Sequence, residues 1–64
     1  MAEVLVDFDT PVAHNSTTYR ARAVGRPAGH MWEGWLEFIP TDGNAPIVGP
    51  VESTQPGREH LIYW

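Results

Sequence analysis

The chain contains no cysteine and no lysine. The first absence removes disulfides, thiolate metal sites and a thiol nucleophile, and it fits a reducing compartment. The second leaves Arg20, Arg22, Arg26 and Arg58 against eight acids, for a formal net charge of −4. Four scattered cations are too few to track a phosphate backbone, so nucleic acid is disfavoured as a partner. No window approaches the roughly 18 apolar residues of a membrane-spanning helix. The opening residues lack the basic flank and apolar run of a signal peptide. These absences give the expectation of a soluble, cytoplasmic, mildly acidic module with no membrane association.

Length adds a constraint. A chain of 64 residues is one small domain that buries only about 60% of the surface its unfolded form exposes. Such domains are usually stapled by disulfides, a metal or a partner chain, and the first is excluded here. Three Trp, two Tyr and two Phe supply much of the core, at roughly 150–250 Å² buried apiece.

What is present is mainly strand pattern. Residues 2–8 alternate, with Val4, Val6 and Phe8 on one side and Glu3, Leu5 and Asp7 on the other. Leu5 breaks strict alternation, so both faces are expected to be partly covered. Asp9-Thr10-Pro11 ends this strand, because proline lacks the ladder donor. His14-Asn15-Ser16-Thr17 reads as a polar loop. Further strands are expected over residues 17–25 and 31–39, joined by the turn-forming run Arg26-Pro27-Ala28-Gly29-His30.

The pattern of these two strands argues a register. Tyr19 is expected opposite Phe38, Ala21 opposite Leu36, Ala23 opposite Gly34 and Gly25 opposite Trp32. That face is apolar, with small residues facing large ones. On the other face Arg20 would meet Glu37, Arg22 would meet Trp35 and Val24 would meet Glu33. An ion pair and a cation–π pair of this kind are each worth on the order of 0.2–1 kcal/mol. A slip by one residue would mix the faces, so the pattern selects against it.

Pro40 to Asn44 is a turn with Asp42-Gly43 at its centre. Residues 46–55 read as an irregular edge strand interrupted by Gly49-Pro50, since proline is confined to edges and bulges. From Pro56 a short helix is favoured by the proline near a first turn, by Arg58-Glu59 and by the spacing of Leu61 and Trp64. His60 to Trp64 also fits a strand. The apolar ending means that the tail docks in the core, that it packs on a partner, or that a longer natural domain is cut short.

The fold expected is a small antiparallel sheet of three to four strands, mainly β, with a short C-terminal helix. A partly open barrel is the natural way to cover one face of so small a sheet.

The best candidate for a binding surface is the outer stripe of Arg20, Arg22, Glu33, Trp35 and Glu37. An exposed tryptophan among charges can stack on a partner, and Trp and Arg are enriched at interface hot spots. The simpler reading is a self-satisfied solvent face. Glu33 and Glu37 lie about 13 Å apart along one strand face, beyond the roughly 5–9.5 Å of a glycosidase pair. His14, His30 and His60 show no ligand-pair spacing, so no metal is expected. Ser16 and Ser53 could form a triad only from unrelated loops. The glycines match no phosphate loop, and no cofactor is implied. Gly34, between two tryptophans, leaves room for a ring or a close backbone.

The segments Gly29-His30-Met31-Trp32-Glu33-Gly34-Trp35-Leu36-Glu37-Phe38, Glu52-Ser53-Thr54-Gln55-Pro56 and Leu61-Ile62-Tyr63-Trp64 resemble a family of short uncharacterised bacterial proteins. Its pattern is W-E-G-W-[LI]-E-F, then E-[ST]-T-Q-P, then L-x-Y-W, and the resemblance covers residues 18–64. Members of that family continue past the Tyr-Trp with another apolar, strand-like segment, so the resemblance carries the expectation of a C-terminal strand beyond Trp64. The resemblance implies no activity and assigns no catalytic or binding residue. The functional expectation is therefore a non-catalytic protein-interaction or accessory module, as a homo-oligomer or with a protein partner. The alternative is a small-ligand or nucleic-acid binding barrel using the Trp35 and Arg22 face.

Overall fold

The computed structural model describes residues 2–63. Trp64, and with it the expected helical pairing of Leu61 and Trp64, lies outside the described residues. In chain order the elements are β1 (Glu3–Asp7), β2 (Val12–His14), β3 (Thr17–Ala28), β4 (Met31–Pro40), β5 (Ile47–Val48), β6 (Ser53–Gln55) and α1 (Arg58–Ile62). All strand pairs are antiparallel, and the six segments form one sheet. The sheet stays open and does not close into a barrel.

Six strand segments occupy four rows. β3 and β4 are the two inner rows, and both β1 and β2 pair with β3 while both β5 and β6 pair with β4. Each outer row is one edge strand broken by a proline excursion. The first runs from Phe8, whose N–H donates to the Ala21 carbonyl, through Asp9-Thr10-Pro11 to Val12, opposite Tyr19. The second leaves the ladder after Gly49, bonded to the Leu36 carbonyl, and rejoins at Glu52, bonded to the Gly34 carbonyl. Pro50 and Val51 loop out between them. Proline is tolerated in these rows because an edge strand has one side without ladder partners. The expected three to four strands correspond to the rows, and the extra segments come from their breaks.

Two turns depend on left-handed backbone. Asn15 and Ser16 have φ of 49° and 65°, the two positive angles of a type I′ hairpin turn. They join β2 to β3 with His14 opposite Thr17, so the expected polar loop shrinks to two residues. Gly29, with φ of 62°, takes the first position of the two-residue turn between Ala28 and Met31. A type II′ hairpin turn requires glycine there.

That turn corrects the expected register by two residues. Tyr19 lies opposite Pro40, Ala21 opposite Phe38, Ala23 opposite Leu36 and Gly25 opposite Gly34. On the other face Arg20 meets Ile39, Arg22 meets Glu37, Val24 meets Trp35 and Arg26 meets Glu33. The expected register would have put Ala28 at the left-handed position, where a Cβ is penalised. β3 consequently runs on to Ala28 through residues expected to be turn. A shift of two leaves every side chain on its expected face.

The first strand departs further. The ladder slips between Val4 and Val6, placing Val4 opposite Val24 and Val6 opposite Ala23. Val4 and Val6 therefore point to opposite faces, a consequence of the bulge at Leu5.

The face carrying Ala21, Ala23 and Gly25 also carries α1. A Cβ built on Gly25 would come within 2.9 Å of both Leu5 Cδ1 and Leu61 Cδ1, so the missing side chain lets Leu61 seat against the sheet. Leu61 is 2% exposed and joins Ala21, Ala23, Val24 and Trp35 as the buried apolar core. Arg58 of the helix pairs with Glu3 of β1. The tail docks through Leu61, while Ile62 and Tyr63 remain exposed at 38% and 88%. The radius of gyration of 12.5 Å exceeds the roughly 10.7 Å of a compact domain this size, because the helix covers only one end of a sheet stretched along the β3–β4 hairpin.

Leu61→Ala is expected to cost about 2–4 kcal/mol in urea unfolding, since it empties the buried seat of the helix. Gly25→Ala should cost about 1 kcal/mol, because the Leu5 and Leu61 side-chain ends can give way. A Leu61→Ala loss under about 0.5 kcal/mol would show that the helix does not anchor this face.

Candidate functional site

The face opposite α1 holds all five residues of the sequence-defined stripe. Four of them form one ladder. Arg22 on β3 lies directly across from Glu37 on β4, and its Nε and Nη2 donate to Glu37 Oε1 at 2.9 and 2.6 Å. Trp35, two residues along the same strand face, donates its Nε1–H to Glu37 Oε2 at 2.9 Å. Both oxygens of one carboxylate are thus engaged, by a cation and by an indole.

The ladder continues through a residue the stripe did not include. The Arg26 guanidinium carbon lies 5.2 Å from the Trp35 ring centroid, and its Nε donates to Glu33 Oε1 at 3.2 Å. The expected cation–π partner of Trp35 was Arg22, and the expected partner of Glu37 was Arg20. Both assignments shift by two positions with the register. Arg20 instead sits beside Asp7 at 3.7 Å, with both side chains more than half exposed, a pair worth little in water. Extending the alternation of Arg20 and Arg22 to Arg26 would have identified the missing rung, had the turn been placed at Gly29-His30.

Trp35 is 7% exposed, which corrects the expectation that its ring is open to solvent. It lies across from Val24, itself 4% exposed, with Arg26 over its face and Glu37 holding its N–H. A tryptophan so enclosed cannot act as a stacking platform for a base or a ring. The Glu37 side chain is 13% exposed. Its pKa is lowered from the usual carboxylate value, chiefly by the Trp35 hydrogen bond and also by the Arg22 hydrogen bond and charge, with partial burial opposing. Glu37 is therefore ionised and fully engaged at neutral pH. Glu33 faces Arg26, so neither acid stands free as a general base.

His14 closes β2, His30 lies in the β3–β4 turn and His60 is on α1. Among the described residues there is no group of three or more His, Cys, Asp and Glu placed to hold a metal. No described helix is long and apolar enough to cross a membrane.

The helix-bearing face is different in kind. Beyond α1 it carries an open hollow of about 460 Å³ lined by Val6, Phe8, Leu36, Glu52, Ile62 and Tyr63 among others. A second hollow of about 280 Å³ follows, lined by Val12, Ala13, His14, Tyr19, Phe38 and Ile47. Phe8, Val12 and Ile47 are 42%, 43% and 52% exposed. Cross-strand pairing explains their grouping: Val12 faces Tyr19, Phe38 faces both Ala21 and Ile47, and Phe8 bonds to Ala21. The alternation placed Tyr19 and Phe38 on the core face, but it assigned no face to Val12 or Ile47 and gave no sign that the helix is too short to cover this end.

Compared with family models, curated proteins and solved structures, the chain has no significant match.

Glu37→Gln should lower stability by about 1–2 kcal/mol at pH 7, a charge-assisted bond discounted for the one-third exposure of Arg22. The sign follows from a lowered folded-state pKa. The contribution is complete above the unfolded carboxylate value and is lost as pH falls through the lower folded value. The difference between wild type and variant in urea unfolding should therefore shrink from pH 7 toward pH 3. A difference that is constant with pH would refute the ionised ladder.

Proposed function

We propose that the protein is a non-catalytic interaction module that presents the uncovered end of its helix-bearing face to a protein partner. One observation carries this reading: the large apolar side chains of Phe8, Val12, Ile47, Ile62 and Tyr63 are exposed and grouped along one sheet face. Single exposed hydrophobics are ordinary, but a contiguous patch of this kind marks an interaction surface. The opposite face supports the same conclusion by its chemistry. Arg22, Arg26, Glu33 and Glu37 on it satisfy one another together with Trp35, which leaves them with a folding role.

The reading needs no cofactor and no catalytic group. It locates the protein in the bacterial cytoplasm, on the strength of the motif resemblance and the absence of cysteine. A nucleic-acid or small-ligand site on the Trp35 and Arg22 face has lost its platform, since that ring is covered by Arg26 and held by Glu37.

A photo-reactive amino acid at Phe8 or Ile47 should form protein adducts in cells producing the chain, whereas one at Arg20 should not. Equal adducts from both faces, or none from either, would overturn the proposal.

A further inference from the structure

The partner that fits the uncovered face can be specified, and the inference rests on the interaction reading above. We propose that it is a second copy of this chain, related by a two-fold axis lying in the interface and running across the strands. The face is stepped: α1 raises one end and the other end is bare. A rotation about such an axis sets the helix of each copy over the bare end of the other. The result is two outer sheets with two short helices between them, a layered arrangement of the kind in which sheets bury their apolar faces. A two-fold contact uses the same patch twice, so the patch must be self-complementary. Here the raised end offers Ile62 and Tyr63, and the bare end offers Val12, Phe38 and Ile47.

The area is sufficient. Phe8, Val12, Ile47, Ile62 and Tyr63 are 42%, 43%, 52%, 38% and 88% exposed. With roughly 150–250 Å² for a large side chain, they leave on the order of 500 Å² uncovered per copy. Two copies bring about 1,000 Å², the lower bound of a specific interface, before the half-buried Val6, Tyr19, Leu36 and Phe38 are added.

Sheet edges point the same way, while charge works against the contact. A net charge of −4 opposes self-association in general. The charged residues of the opposite face, Asp7, Arg20, Arg22, Arg26, Glu33 and Glu37, sum to zero and are directed away from such an interface, so the net negative charge is carried elsewhere, with Glu52 lining the first hollow. Pairing of sheet edges is the competing route, and the outer rows carry Pro11 and Pro50 at their breaks, which blunts it. Among the described residues five apolar side chains are buried, the chain has no cysteine, and a chain this small gains stability from oligomerisation.

Ile47 and Val48 make the test, because they are neighbours on β5 with side chains on opposite faces. Ile47 is across from Phe38 and Val48 across from Glu37, and they are 52% and 61% exposed, so glutamine at either leaves the fold intact and sets no second carboxylate opposite Glu37. Sedimentation equilibrium from micromolar to millimolar chain should show the weight-average mass doubling, with a melting temperature that rises with concentration. Ile47→Gln should raise the dissociation constant at least tenfold, and Val48→Gln should change it by less than about twofold. Circular dichroism checks that both variants remain folded. A monomer throughout, or equal weakening by both variants, would overturn the two-fold pairing. If the chain is a monomer but Phe8 and Ile47 crosslink to a different protein, the second copy is wrong and the interaction reading stands. A monomer with no crosslinks overturns both.

Discussion

The two-residue turn at Gly29 and His30 is the constraint on which the rest of the structure depends. With Gly29 in the left-handed region and Ala28 opposite Met31, every pair along the central hairpin is determined. Arg22 then reaches Glu37, Arg26 reaches Glu33, and Val24 covers one side of Trp35. Gly25 meets Gly34, and the space above Gly25 admits Leu61 from the helix. A turn placed one residue earlier would move every pair by two positions. It would part both arginines from their carboxylates.

The two faces of the hairpin have taken different roles. One is closed by polar chemistry, with a carboxylate bridging Arg22 and Trp35 and a second arginine lying on the indole. Such cross-strand contacts stabilise a sheet that has no second layer on that side. The other face is apolar and receives a helix of five residues, long enough to seat Leu61 but too short to cover Phe8, Val12 or Ile47. That mismatch between the length of the sheet and the length of its cover leaves one end of the apolar face bare.

Much of the fold was legible because strand periodicity is strict. The alternation over residues 19–25 and 32–38 assigned those side chains to their correct faces. The same strictness hid the register, since a shift of two residues preserves that alternation. Only turn chemistry separates the alternatives, and the signal was Gly29, the residue that tolerates the left-handed position. The irregular edge strand over residues 46–55 was readable from Pro50, and its counterpart ahead of β3 was not, because Val12-Ala13-His14 is too short to show a period. Of the candidate site, the membership of Arg22, Glu33, Trp35 and Glu37 in one stripe was visible. The exposure of Trp35 was misjudged, because burial on an outer face depends on lateral neighbours such as Arg26 and Val24, which the register supplies.

By itself the sequence determined the class of sheet and the faces of the central strands, and it favoured a helix after Pro56 over a strand that also fitted. These are properties of local spacing and of residue chemistry. Tertiary structure decided which arginine meets which carboxylate, whether Trp35 is open or enclosed, and which part of the apolar face is left bare. Each of those depends on distances between segments far apart in the chain, and alternation along a strand carries no information about what lies above it.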